Sequence, residues 1–378
     1  MKRLTLFYLG LLLLAFCGCR GGGGAVADVK YYIVPEQTAL DESTRFSDLL
    51  EEYRYIIPEA TKESYFAYIF KAYIYRDRIY LFDKENQSKI LVFDLNNGQF
   101  IRGIGYQGRG PNEYVTLTNF TLDKERGEVL ILDEATDRVL IYDADSGAFK
   151  GLFELGFTAR NIEYLDENTL AYVGGGEDAD RLRLSDRAGN EIGSWIPAEE
   201  RNGMVIINAF SRGTGNELVF KTFLSDSLYT VTPQGPVVSR FVDFGEDALT
   251  WSKFMSHSPS ERNEMIRHLE SYRTYMKYYA ETDSHIWFLY SEKNTPWCTV
   301  YNKETGQTYN YSIFTPNNVV FDKYAPLISA SDDNYFIGTN DAYSIVENIE
   351  QTSPSDIPDD LKALTTNDNP VITLLKFK

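Results

Sequence analysis

Gly127-Glu128-Val129-Leu130-Ile131-Leu132-Asp133 is followed by Arg138-Val139-Leu140-Ile141-Tyr142-Asp143, then by the turn Asp145-Ser146-Gly147 and by Ala148-Phe149-Lys150. The same succession stands fifty residues earlier: Asp77 to Asp83, Lys89 to Asp94, Asn96-Asn97-Gly98, and Gln99 to Gly105. Short apolar runs separated by turn residues are the mark of antiparallel hairpins. Weaker copies begin at Asn168, Asn216, Ser284 and Asp333, which makes six units. A turn glycine repeats independently at Gly98, Gly147, Gly189, Gly235 and Gly306, with spacings of 49, 42, 46 and 71 residues. Such a position demands a positive φ, which glycine takes at little cost.

Two markers therefore agree on a period close to the roughly 40–50 residues of propeller blades. The chain is predicted to be all-β, a six-bladed β-propeller of four strands per blade, filling residues 31–378 as one domain. The long spacing of 71 holds an insertion between blades four and five, at about residues 246–271. Within it Ser258-Pro259-Ser260-Glu261 is a capping box with proline at the first helical position. Met265, Ile266, Leu269 and Tyr272 follow at helical spacing, so the helix either packs on a hydrophobic rim or lids the channel. The sixth unit lacks an outer strand. Helical stretches at 342–350 and 356–364 lead to a strand at 371–377, and the spare strand 53–57 near the N-terminus is expected to close the ring by pairing with it.

The chain has 378 residues, 43% of them hydrophobic and 24% charged, an ordinary globular balance. Its net charge of −18 argues against nucleic acid as a partner, because that affinity rests on Lys/Arg contacts to phosphate. The 27 Tyr and 23 Phe suit half-buried strands. Met1-Lys2-Arg3, the apolar run Leu4 to Phe16, and Phe16-Cys17-Gly18-Cys19 form a signal segment resembling a bacterial lipobox. The apolar run is too short for the roughly 20 residues that span a bilayer. Cleavage after Gly18 would leave Cys19 acylated, with 19–30 as a flexible tether holding the protein to the cell envelope, at the outer membrane. Losing Lys2 and Arg3 moves the charge to −20. Cys298 would then be the one unmodified cysteine, with no intramolecular disulfide.

Ile104-Gly105-Tyr106-Gln107-Gly108-Arg109-Gly110-Pro111-Asn112-Glu113-Tyr114 joins the first two units. With the lipobox, the Tyr55-Ile56-Ile57-Pro58 strand and the terminal Asn369-Pro370-Val371 strand, it resembles the six-bladed β-propeller lipoproteins of gut-type Gram-negative bacteria. That group is similar in shape to NHL-type propellers, and the resemblance implies fold and location without a defined role. It spans about residues 46–378 and is closest in the first two blades.

Loops between blades commonly carry binding groups. Arg109 is suited to fork onto a carboxylate, sulfate or phosphate, Asn112 and Glu113 to meet sugar hydroxyls, and Tyr114 to stack on a ring. The competing reading has Arg109 and Glu113 paired across a glycine-rich turn with Tyr114 plugging the space between blades. Arg160, at the start of the third inner strand, is a further candidate. Gly103-x-Gly105-x-x-Gly108 fits the dinucleotide pattern, but no helix follows to receive a pyrophosphate. His257, His268 and His285 are expected in packing or surface roles rather than on a metal. Asp83 and Asp133 end equivalent strands and are read as turn residues, and Cys298 as a core residue. No metal or cofactor is implied. Two function classes remain: a module binding a glycan, peptide or protein partner at the channel mouth, in a nutrient-uptake system, or a propeller lyase or hydrolase acting in the central channel. Scarce histidine and the lack of a repeated catalytic pattern weigh toward binding.

Overall fold

The repeats fold as six blades around one axis in a computed structural model, which describes residues 29–35, 46–83, 85, 89–175, 180–197, 209–246, 248–273, 276–312, 327–352 and 359–378. From axis to rim, blade one consists of Lys71–Tyr75, Arg78–Phe82, Ile90–Asp94 and Phe100–Ile104. Blade two consists of Leu117–Asp123, Glu128–Asp133, Arg138–Asp143 and Phe149–Glu154. Blade three follows with Ala159–Asp166, Thr169–Gly174, Leu182–Asp186 and Glu191–Trp195, and blade four with Phe210–Arg212, Leu218–Lys221, Ser227–Thr232 and Gly235–Val242. Tyr278–Glu281, His285–Glu292, Thr295–Asn302 and Thr308–Ser312 make blade five.

Each sheet is covered on both faces, which is why strands such as Ile90–Asp94 read as apolar runs rather than as alternating ones. On one face of blade one, Tyr73, Tyr80, Phe82 and Val92 pack with Phe120, Leu122, Val129 and Ile131 of blade two. On the other, Ile74, Ile79, Leu81 and Phe93 meet Ile56, Ile337 and Leu374 of blade six. Burying a side chain of this size contributes about 1.5–3 kcal/mol, so interblade contact is the main source of stability.

The ring closes through its two ends. Leu327–Asp332, Tyr335–Asn340 and Val371–Phe377 supply three strands of blade six, and Leu50–Ile56 supplies the outer one, pairing antiparallel with Tyr53 opposite Leu375. The N-terminal closure expected at 53–57 thus begins three residues earlier. Asn369 locks the joint: its Oδ1 accepts the Phe66 N–H at 2.9 Å, and its Nδ2 donates to the Glu59 and Ser64 carbonyls at 3.0 and 3.1 Å. Gly98 is needed here twice over, since its φ is +74° and a Cβ would lie 2.0 Å from the Ile57 carbonyl oxygen.

Two features extend the expected plan. Tyr31–Ile33 adds a fifth strand to blade four, parallel to Gly235–Val242, where a three-residue segment offers no period to read. The insertion forms the helices Trp251–Met255 and Pro259–Arg267 and one 3₁₀ turn, Leu269–Ser271. Ser258 and Glu261 make the expected capping box. Phe254, Met265 and Leu269 bury against Leu224 in a small core of their own, so the insertion packs on the rim of blade four. Helices Ala342–Thr352 and Asp359–Lys362 lead into the last strand as expected.

A chain beginning at residue 58 leaves Val371–Phe377 as a bare edge. It is expected to melt more than about 10 °C below the full chain, or to lose its cooperative transition. Removal of residues 1–28 is expected to leave melting unchanged in the same scan.

Candidate functional site

The loop between blades one and two is held by its own side chains. Tyr114 is fully buried in the core shared by these blades, so it fills interblade space and does not offer its ring to a ligand. Glu113 turns back on the loop, accepting the Gly110 N–H at 2.7 Å, and its carboxylate occupies the space a Cβ on Gly108 would take. The dinucleotide-like spacing therefore reflects close packing around Glu113 rather than a phosphate cradle. Arg138 donates to the Glu113 carbonyl and Tyr142 to that of Asn112. No Arg109–Glu113 ion pair forms among the described residues. Arg109 and Asn112 are exposed, and Arg160 pairs with Glu134 at 3.4 Å. The loop's candidates thus divide between structural work and open surface. Asp133 accepts the N–H groups of Val115 and Thr116, and Asp83 those of Ala67 and Tyr68, so both secure incoming loops as expected of turn residues.

At the axis a charged cluster links four blades. Glu163 of blade three receives the Lys71 ammonium of blade one at 2.9 Å and the Arg212 guanidinium of blade four at 3.1 Å. Tyr73 and Thr121 donate to it at 2.6 and 2.7 Å. Burial alone would raise the Glu163 pKa, but the charges of Lys71 and Arg212 and the hydrogen bonds from Tyr73 and Thr121 together outweigh it and bring it down to about 2. The Lys71 ammonium also reaches Asn119 Oδ1 and the carbonyls of Phe120 and Ile162, all within 3.0 Å. Side chains therefore fill the axis between these blades. No motif in the sequence marks this cluster; the usable signal is that the pairing registers put Lys71 level with Asn119 and Asn161, and Glu163 level with Tyr73 and Thr121, polar positions repeated in the innermost strands. A second cluster joins blades four and five, where fully buried Arg240 and Glu281 pair at 2.8 Å and Lys303 reaches Glu281 at 2.6 Å.

A cavity of about 340 Å³ opens instead at the rim between blades three and four. Arg181, Ile196 and Pro197 form the blade-three wall. Thr222, Phe223, Ser225 and Asp226, from the loop after Leu218–Lys221, form the floor with Ser227 and Tyr229 of the next strand, and Trp251 of the insertion closes one side. Trp251 is tied to that loop by its N–H, which donates to the Leu224 carbonyl, and by its ring, 6.4 Å from that of Phe223. Among the described residues the lining combines aromatic faces, hydroxyls, one carboxylate and one guanidinium. Arg181 supplies the guanidinium and makes no ion pair with a described residue; burial first, and then the nearby Arg160 charge, draw its pKa below the usual value. The five sequence candidates are absent from this lining.

Other chemistry stays structural. Cys298 sits with Trp287 and Tyr311 in the blade-five core, where burial pushes its thiol up to about 12. His268 contacts Glu264, His257 the Lys253 carbonyl, and His285 Ser284 and Asn302. No group of three or more potential metal ligands occurs among the described residues. Cys19 lies outside the described residues, and no described helix is long and apolar enough to cross a membrane.

Blade count and closure define a six-bladed β-propeller. More particularly, residues 31–376 match the domain of unknown function DUF4934, and the chain belongs to that family. No curated protein matches it in sequence. A crystallised protein of Bacteroides fragilis assigned as exported shares the fold at a TM-score of 0.79 and 19% identity, over 92% of this chain and 99% of the other. A member of the DUF4221 family from Bacteroides vulgatus aligns at a TM-score of 0.53 and 14% identity, over 87% and 97% of the two chains.

Lys221, beside the cavity floor, is buried, its ammonium donating among the described residues only to the Met276 and Lys277 carbonyls, and burial brings its pKa down to about 7. The unfolded chain, with an ordinary lysine near 10.4, binds more protons between these values, so stability rises with pH from about 7 to 10. Lys221→Met is expected to stabilise the protein by on the order of 2 kcal/mol at pH 7, the lost carbonyl bonds offsetting part of the desolvation relieved. In urea titrations the gain should shrink toward pH 10. A variant less stable at pH 7 would contradict this assignment.

Proposed function

We propose that this chain is an exported, lipid-anchored propeller that binds a saccharide-type ligand in the rim cavity between blades three and four. The observation that carries the reading is the lining itself: Trp251, Phe223 and Tyr229 offer flat apolar faces, and Thr222, Ser225, Ser227 and Asp226 offer hydroxyl and carboxylate oxygens within one 340 Å³ hollow. Sugar rings present an apolar face and a hydroxyl edge, and pockets of roughly 300–1,000 Å³ with few convergent polar groups suit small ligands. The walls come from a rigid scaffold and a capped helix, so binding requires little ordering.

The lipobox-like segment supports envelope location with the lipid on Cys19. Lys30, the second described residue, pairs at 2.9 Å with Glu217, which lies in the turn between the first two strands of blade four. The cavity is built from loops at the opposite ends of these strands. A tether leaving beside Glu217 would therefore hold the cavity away from the membrane.

The full chain in detergent micelles, screened against saccharide and peptide arrays, is expected to bind saccharides. Trp251→Ala should weaken that binding at least tenfold, about 1.4 kcal/mol, while melting confirms an intact fold. Peptide-only binding, or saccharide binding unaffected by Trp251→Ala in a folded variant, would overturn the reading.

A further inference from the structure

We infer that the ligand of the rim cavity is an acidic saccharide, whose carboxylate is received by Arg181 while its hydroxyl edge faces Asp226 and the serines. This rests on the binding reading above and adds the charge of the ligand. Three other arginines of blade three each have a carboxylate: Arg160 with Glu134, Arg183 with Glu191, and Arg187 with Asp123 and Glu128. Arg181 has none among the described residues, in a chain whose net charge is −18. A guanidinium with no carboxylate partner among the described residues, at the wall of a hollow, is suited to receive an anion brought from outside.

The backbone at Arg181 is fixed. Its N–H donates to the Ile196 carbonyl at 2.8 Å and its carbonyl accepts from Gly174 at 3.3 Å, so the side chain starts from a paired position at the blade edge. Arg160 stands near enough to act on Arg181 electrostatically, but its own charge is met by Glu134, so Arg181 is the cation that the cavity wall presents among the described residues. Asp226 is the opposing charge. It accepts from Ser227 at 3.1 Å and makes no ion pair with Arg181. A carboxylate in that setting disfavours a second anion nearby but accepts well from hydroxyls, and an acidic sugar carries one anionic group and several hydroxyl donors. A ligand made only of anionic groups would meet Asp226 unfavourably.

The test uses the full chain in micelles and a panel of uronate oligosaccharides covering glucuronate, galacturonate, mannuronate and iduronate. Each is paired with its methyl ester, and neutral oligosaccharides of the same linkage complete the set. At least one uronate is expected to bind ten or more times tighter than its ester. Arg181→Ala should erase that preference, and Arg181→Lys should keep part of it. Equal binding of acid and ester, unaffected by Arg181→Ala, would overturn the acidic ligand and leave the saccharide reading standing. Binding of neutral sugars alone would do the same. Absence of binding by every saccharide would overturn both.

Discussion

Glu163 is the point on which the architecture turns. A carboxylate buried at the axis of a propeller is costly unless it is paired and hydrogen-bonded. Here it is met by cations from two other blades and hydroxyls from two residues besides, Lys71, Arg212, Tyr73 and Thr121. The innermost strands have no neighbour on the axial side, so their carbonyls need donors, and Lys71 supplies two of them from its single ammonium. Any slip in the register of blades one to four would separate these partners. Hydrophobic contact between blades is plentiful but not directional, whereas this cluster admits one arrangement.

The filled axis decides where ligands can go. With Asn119, Asn161, Tyr73 and Glu163 all buried, little room remains for substrate in the part of the channel these blades surround. Space appears instead where regularity breaks, at the junction of blade three, the loop after Leu218–Lys221 and the insertion. The insertion neither lids the axis nor idles on the surface. Its small core around Phe254 and Leu269 holds Trp251 in place as the cavity wall.

Much of the fold was legible because repetition makes it so. The strand pairs of blades one and two, the hairpin glycines, the capped helix after Ser258 and the closure by an N-terminal strand all follow from local rules repeated along the chain. Asp83 and Asp133 could be read as loop-holding residues because the repeat places them at the same strand end. The rim cavity was not legible. Arg181, Phe223 and Trp251 come from three segments that no period relates, and they meet only because adjacent blades and the insertion converge. The loop around Arg109 drew notice as a conspicuous motif, yet Glu113 and Tyr114 earn their spacing through packing. Strand Tyr31–Ile33 escaped because three residues carry no pattern.

The most direct measurement is the urea unfolding of Glu163→Gln, which removes the axial charge while nearly preserving volume. Two largely buried cations, Lys71 and Arg212, then lack their counter-ion, and a loss of about 3–5 kcal/mol is expected at pH 7 with an unchanged denaturant slope. The loss should fade as the pH falls from about 4.5 toward 2, where the native glutamate itself takes up its proton. A variant within about 0.5 kcal/mol of the parent at pH 7 would contradict the claim that this cluster holds the blades together.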